Sequence, residues 1–388
     1  IQCKRYAMFK QAVPFGLLAA LAFGASAQET SQSGLKFSGY YKSLLEESET
    51  IVPGGQRYLL DLNRLRLQLQ GKLSEHVAVD LQYDNELLFG SYLHTAQFAS
   101  QSSLAPDQYL DLDGNYLRGG SYYGQHRLYR GNVTLSSGDT DVRIGRQRIA
   151  WGTGRFWSPL DLLNPLNPTA IEREERVGVD AVLAEHKLGP ISRISAVYAP
   201  GHGGADSSAA FNWHANTHGV DYSIVGGRFG NEQVAGFDLA GQIGTAGIRG
   251  EFTQVRAKTG STYQRAVLAL DYAFANTLTL SAELYYNGAG TTNAAAYDFT
   301  SLLTGKIRSV AKHYAGGYMS YEITPLLKWE GYVVVNLDDH SRFVSPLLTY
   351  SIKTNLDWQI GAQFFMGSSG SEFGHFHHIY YTQIQWFF

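Results

Sequence analysis

The run Gly145-Arg146-Gln147-Arg148-Ile149-Ala150-Trp151-Gly152-Thr153-Gly154-Arg155-Phe156-Trp157-Ser158-Pro159-Leu160-Asp161-Leu162-Leu163-Asn164-Pro165-Leu166-Asn167-Pro168 holds the side chains best suited to recognise a solute. Arg146, Arg148 and Arg155 could present guanidinium groups to an anionic or hydroxyl-rich molecule. Trp151 and Trp157 could stack on sugar or aromatic rings, and Asp161 adds a carboxylate. Arg146 and Arg148 could instead pair with wall carboxylates in a plug packed for stability. Three prolines and two Asn-Pro steps bar a regular strand or helix through 158–168. Trp151, Phe156, Trp157, Leu160, Leu162, Leu163 and Leu166 are nevertheless too apolar for a solvated loop, so the segment needs cover.

Three other runs carry potential chemistry. Asp107, Asp111, Asp113 and Asn115 surround Gly114, which hints at a Ca²⁺ loop, but the spacing is not that of an EF-hand. His375, His377 and His378 lie close together without an evident fourth metal ligand. Asp338-Asp339-His340-Ser341 places an acid, a base and a hydroxyl side by side. Adjacent residues do not converge as a triad does, and no matching nucleophile motif occurs elsewhere. No catalytic residue is assigned, and the chain is read as a non-enzyme.

The elements that position these residues show a period of two. Val77, Val79, Leu81 and Tyr83 alternate with Ala78, Asp80, Gln82 and Asp84; Leu278, Leu280, Ala282, Leu284 and Tyr286 alternate with Thr279, Ser281, Glu283 and Tyr285. Such segments of about ten residues suit tilted strands crossing a bilayer, apolar side to lipid and polar side to a lumen. Seventeen candidates stand out: 35–44, 57–70, 77–89, 125–136, 140–150, 176–187, 191–199, 218–229, 233–243, 246–257, 263–274, 277–287, 313–323, 326–337, 342–352, 355–366 and 374–388. Short turns should be periplasmic and longer loops external. Counting from the two ends gives frames that clash once, between 200 and 217. One more strand at Ser208 to His214 resolves the clash and makes eighteen; sixteen follow if one weak segment is a loop. The expected fold is an all-β transmembrane antiparallel barrel, with outer loops at 45–56, 90–124 and 288–312 and with residues 151–172 folded inward to narrow the pore.

Both ends of the chain agree with this placement. Lys4, Arg5 and Lys10, the apolar run Val13 to Gly24, and Ala25-Ser26-Ala27 form the three parts of a signal peptide cleaved after Ala27. Residues 28–388 then form a single barrel domain in the outer membrane. The last strand puts Tyr380, Thr382, Ile384, Trp386 and Phe388 on one face and Tyr381, Gln383 and Gln385 on the other.

Composition excludes several classes. The chain has 25 Tyr, 20 Phe and 42 Gly against 10 Pro, which suits aromatic girdles and tight strand crossings. Its net charge is −3, and loss of the leader's three cations makes it more acidic, so nothing indicates nucleic-acid binding. The one cysteine, Cys3, lies in the leader. The mature chain therefore has no disulfide, thiolate metal site or c-type haem motif, and no cofactor is assigned. On the polar phase, Arg64, Arg66, Asp80, Asp84, Glu86, Arg130, Arg249, Glu251, Glu283, Glu322, Lys328, Glu330 and Asp357 should face the lumen. Both signs occur, which fits a wet pore for small polar solutes or charged ladders bracing the wall.

The run from Arg146 through Trp151-Gly152, Gly154-Arg155-Phe156-Trp157, Asp161 and Asn164-Pro165 resembles bacterial outer-membrane porin-like barrels, broadly the alginate-export and related porin group. That resemblance implies a channel set in outer-membrane lipid and lipopolysaccharide, with Phe388 closing an aromatic signature read by the barrel-assembly machinery. Alginate-export barrels have eighteen strands and an arginine-lined lumen for a polyanion, whereas the lumen here is mixed. A barrel sheathing a multihaem cytochrome, or meeting another periplasmic partner, would also lack haem motifs and stands as the alternative reading; a lipid hydrolase stands behind it.

Overall fold

The computed structural model describes residues 34–51, 54–103, 108–173, 175–202 and 206–388. The proposed leader at 1–27 lies outside the described residues. The strands are β1 Gly34–Ile51, β2 Gly54–Ser74, β3 Val77–Phe89, β4 Asp113–Arg118, β5 Tyr122–Ser137, β6 Thr140–Gln147, β7 Val179–Lys187, β8 Arg193–Ala199, β9 Ser208–Thr217, β10 Val220–Phe229, β11 Glu232–Ile243, β12 Ala246–Ala257, β13 Thr262–Ala273, β14 Thr279–Asn287, β15 His313–Thr324, β16 Leu327–Asn336, β17 Arg342–Lys353, β18 Leu356–Met366 and β19 Ile379–Phe387. Successive wall strands pair antiparallel, and β1 closes on β19 from Tyr40–Phe387 to Glu47–Tyr380. β4 lies on β5 opposite Tyr123 to Arg127, beyond the point where β6 leaves that edge at Gly131, so it is an extension and not a wall strand. The wall is a closed barrel of eighteen antiparallel strands, and closure leaves no unpaired edge.

Alternation sets which face is wet. Leu81, Tyr83, Leu268, Leu270, Leu284, Ile360 and Ile384 are exposed on the outside, while Asp84, Glu86, Asp238, Glu251, Glu283 and Tyr381 are buried inside. This is the inversion expected when lipid meets the outer face. One rim carries tight turns, including Glu75-His76 and His218-Gly219; the other carries the long connections. The strand at Ser208–Thr217 is present, as the parity argument required.

Several boundaries differ from expectation, among them the last strand, which begins at Ile379 and not at 374 because Phe373–His375 form a short 3-10 turn. Residues 45–51 and 54–56, expected in a loop, are strand: β1 runs on to Ile51 and β2 begins at Gly54, with Glu49 opposite Arg57 and an Arg57–Glu47 ion pair of 2.6 Å. A charged stretch can remain a strand where the ribbon stands clear of lipid. The 90–124 connection contains β4 and a short helix, Ala96–Gln101, capped by the Thr95 hydroxyl, which accepts from Phe98 N–H at 3.1 Å. Tyr58, Leu88, Tyr92, Phe98 and Tyr123 pack into a small core beneath it. Finally β6 ends at Gln147, and β7 starts only at Val179. The Gln147 amide donates to the Gly145 and Ala181 carbonyls, ending the ladder with buried bonds.

Candidate functional site

Residues 148–173 and 175–178 leave β6 and fold into the barrel, extending the expected 151–172 at both ends. Two wall carboxylates hold the first half. Glu251 on β12 accepts the Thr153 and Gly154 amides, each at 2.5 Å, the Leu160 amide at 3.2 Å and the Ser158 hydroxyl at 2.9 Å. Glu283 on β14 accepts the amides of Arg155, Phe156 and Trp157 at 2.9, 3.1 and 2.9 Å. A Pro-broken segment has amides with no ladder to join, and a buried unpaired amide is costly. The two carboxylates satisfy six of them, and in return their charge is held by converging donors. Gly152 has φ 101°, and a Cβ there would lie 2.3 Å from Ser158 Oγ; at Gly154 a Cβ would lie 1.7 Å from the Trp157 carbonyl oxygen. The Trp-Gly-Thr-Gly spelling thus follows from how closely this turn wraps a carboxylate.

The segment then doubles back. Leu160 is fully buried against Val225, Phe229, Val234 and Val255 on β10 to β12. Asn164 accepts from Ile149 N–H and donates to the Val177 carbonyl, near β7. Five residues later the Thr169 carbonyl accepts from Gln363 on β18, at the far wall. Residues 164–169 therefore form a bar across the lumen, extended by their Asn-Pro steps. Beyond it, Glu172 meets Lys42 at 2.5 Å and Arg64 at 2.8 Å, Glu175 meets Arg66 at 2.7 Å, and Arg173 lies over the Tyr332 ring at 3.5 Å. Burial alone would raise the Glu172 carboxyl, but Arg64 and Lys42 outweigh it and hold it at about 2. Asp161, paired with Arg176 at 2.5 Å, is pushed up to about 7 by burial against the pull of Arg176 and Arg148.

The predicted site residues separate into two groups. Arg146 is a correction: it does not face a solute. It is 1 % exposed and is paired with Asp180, its cross-strand partner on β7. It also donates to the Leu128 and Leu110 carbonyls, tying the 90–121 connection to the wall. Arg64 with Glu86 and Arg66 with Asp84 are directly opposed pairs on β2 and β3, each at 2.6 Å. Asp80 takes the amides of Gln70 and Gln82. Arg130 donates to the Tyr129 and Arg176 carbonyls. These side chains brace the wall. Trp157 is buried and stacked on Tyr285 at 5.2 Å, and Trp151 meets Phe229 edge-on. Arg148 and Arg155 are exposed, and neither forms an ion pair among the described residues. Arg155 lies over the Tyr318 ring at 4.4 Å.

Glu251 was placed in the lumen from sequence, but its hold on the segment, like that of Glu283, was not read. The signal was a glutamate at a buried strand position with no cation opposite. The remaining runs serve structure. Asp113 pairs with Arg127 and lies 3.7 Å from Arg146, tying the connection to the wall; Asp107 lies outside the described residues. Asp338 pairs with His313, Asp339 accepts the Glu372 amide, and Ser341 Oγ accepts the Phe373 amide, so that run ties a turn to its neighbour. His375 stacks on Phe299, His377 faces Glu49, and no metal-binding cluster occurs among the described residues.

No protein-family model matches the chain, and neither does any curated protein. Solved structures do match over nearly the whole length. Acinetobacter baumannii OccAB4 is 8% identical with a TM-score of 0.58, covering 93% of this chain and 100% of its own. Pseudomonas aeruginosa OccK5 (OpdH) is 12% identical with a TM-score of 0.57, covering 91% and 97%. P. aeruginosa OccK2 (OpdF), solved in complex with glucuronate, is 9% identical with a TM-score of 0.55, covering 91% and 97%. At these identities the likeness is one of fold, and it joins this chain to porin-like barrels in architecture.

Proposed function

We propose that the chain is an outer-membrane channel for small polar or anionic solutes, with residues 148–178 setting its narrowest section. The observation that carries this reading is the segment itself. It lies inside a closed barrel, is fastened by Glu251, Glu283, Arg64 and Arg66, and leaves the Arg148 and Arg155 guanidinium groups exposed. Fixed positive charge beside a narrow passage favours anions over a reach of about 8–10 Å. The glucuronate held by OccK2 agrees with an anionic or hydroxyl-rich solute here. In this reading the barrel sits in outer-membrane lipid and lipopolysaccharide, a leader is removed after Ala27, and Phe388 is offered to the barrel-assembly machinery; the apolar outer band supports the membrane setting.

Two finer readings lose ground. Arg64, Arg66 and Arg146 are committed to carboxylates, so an arginine-lined path for alginate gains no support from them. A sheath around a cytochrome needs the space that residues 164–169 cross. Single-channel recording in a planar bilayer tests the proposal. Stable ohmic steps with anion preference at low salt are expected; a bilayer that stays sealed with correctly folded protein present rejects it.

A further inference from the structure

A second feature of the inward segment lies on its long-loop side. Asn167, Pro168 and Thr169 of the bar, together with residues 302–309 and 372–376 of the rim, enclose a cavity of about 180 Å³. That is room for about six waters at liquid density, and smaller than a drug-sized pocket. Its walls are of two kinds. Trp157, Tyr314, Phe373 and Phe376 supply flat apolar rings. Trp157 is 4 % exposed, yet its indole N–H has no hydrogen-bond partner among the described residues. Buried indole donors ordinarily find one. Glu372, also in the wall, is 3 % exposed and is held by neutral donors, the Tyr314 hydroxyl and the Asn336 amide, both at 2.8 Å. Burial raises its carboxyl to about 8, so it is largely uncharged at neutral pH. Arg308, which also lines the cavity, is not a free cation.

From this geometry we infer that the cavity is a binding subsite for one uncharged pyranose-sized ring, whose C–H faces meet the aromatic rings and whose hydroxyl accepts the Trp157 indole N–H. Apolar ring faces with hydroxyls at the edge match stacked aromatics with a few polar groups. A carboxylate solute gains nothing from Glu372 there. The inference rests on the channel reading, because the subsite would load solute from the long-loop side before it passes the bar.

The test uses the full-length barrel and glucose as the probe. In a planar bilayer, glucose added on the long-loop side should block the current in a saturable way. Trp157→Phe keeps a ring and removes the N–H, and should weaken the block constant by about fivefold, the effect of one hydrogen bond. Thr169→Val provides an independent change in the same wall and should weaken it in the same direction if Trp157→Phe fails to fold. Quenching of tryptophan fluorescence by glucose in detergent reads the constants of the parent protein and of Thr169→Val, which keep Trp157, without any current. A sealed bilayer with normal glucose quenching would reject the channel reading and keep the subsite. Normal conductance with glucose binding unchanged in both variants, or with glucuronate binding more tightly than glucose in the cavity, overturns the subsite.

Discussion

Arg146 and Asp180 face each other across the β6–β7 ladder, with Nε to Oδ1 and Nη2 to Oδ2 both at 3.0 Å. A planar guanidinium meeting both oxygens of one carboxylate has little left for a passing solute. Arg146→Ala should therefore act on stability. It strands a buried Asp180, a change that typically costs about 3–5 kcal/mol. Unfolding followed by heat-modifiable migration should shift to lower temperature, while ion selectivity stays put. A selectivity change without destabilisation would return Arg146 to the pore.

The exposed arginines should behave in the opposite way. Arg148→Ala with Arg155→Ala removes two charges that form no ion pair among the described residues. Reversal potentials at low salt should move toward cation preference, and the difference should shrink in about 1 M salt, where the screening length falls to about 3 Å. Unaltered reversal potentials at low salt would remove both residues from the conduction path.

Glu251 and Glu283 hold the same segment through backbone amides, so substitution should loosen it without changing any solute-facing side chain. Glu283→Gln leaves a single acceptor oxygen for three amides, and each charge-assisted bond lost is worth about 1.5–3 kcal/mol. Open-channel noise should rise, and trypsin should reach Arg155 faster than in the parent protein. Equal noise and equal cleavage rates would show that packing of Phe156, Trp157 and Leu160 holds the segment by itself.

Acidity should act on the two halves of the segment with opposite signs. Glu172 sits at about 2 in the fold against 4.5 when free, so its anchoring is complete above pH 4.5 and is lost as pH falls toward 2. Asp161 sits at about 7 against 3.8, so its ionisation works against the fold, and that penalty grows as pH rises from 3.8 to 7. Current noise should climb on acidification below pH 4.5, and Glu172→Gln should flatten that rise. Asp161→Asn should flatten the pH dependence between 4 and 7 and leave the acid limb in place. A parent channel with pH-independent noise throughout contradicts both assignments.

Orientation is open to direct labelling, since Cys3 is the one thiol in the chain and lies in the proposed leader. Asn293 lies in the 288–312 connection and Asn276 in the tight β13–β14 turn, and both are exposed. On whole cells, Asn293→Cys should react with an impermeant maleimide and Asn276→Cys should not. The reverse pattern would invert the barrel.

The wall was legible because alternation is local. A strand shows its two faces every other residue, so Leu81 and Tyr83 against Asp84 and Glu86 reveal an inverted barrel before any partner is known. Turn spacing then counted the strands, including Ser208–Thr217, whose own pattern is weak. The inward course of 151–172 was legible for a similar reason: prolines forbid a ladder, and tryptophans forbid water. The Arg64–Glu86 and Arg66–Asp84 pairs were not legible, because an irregularity between Lys72 and Ser74 shifts the register by one from a count outward from Glu75-His76.

What only the tertiary structure decided is which charge meets which. Arg146, Arg148 and Arg155 are the same residue type within ten positions. One is locked to Asp180 and two stay exposed, because their neighbours come from strands and connections distant in the chain. Glu251 and Glu283 lie about a hundred residues beyond the segment they hold, and the groups they bind are backbone amides, which every residue but proline carries and which leave no trace in the order of side chains. Periodicity therefore determined the barrel, and prolines among apolar side chains its inward segment, whereas closure of the sheet decided which charges were free to meet a solute.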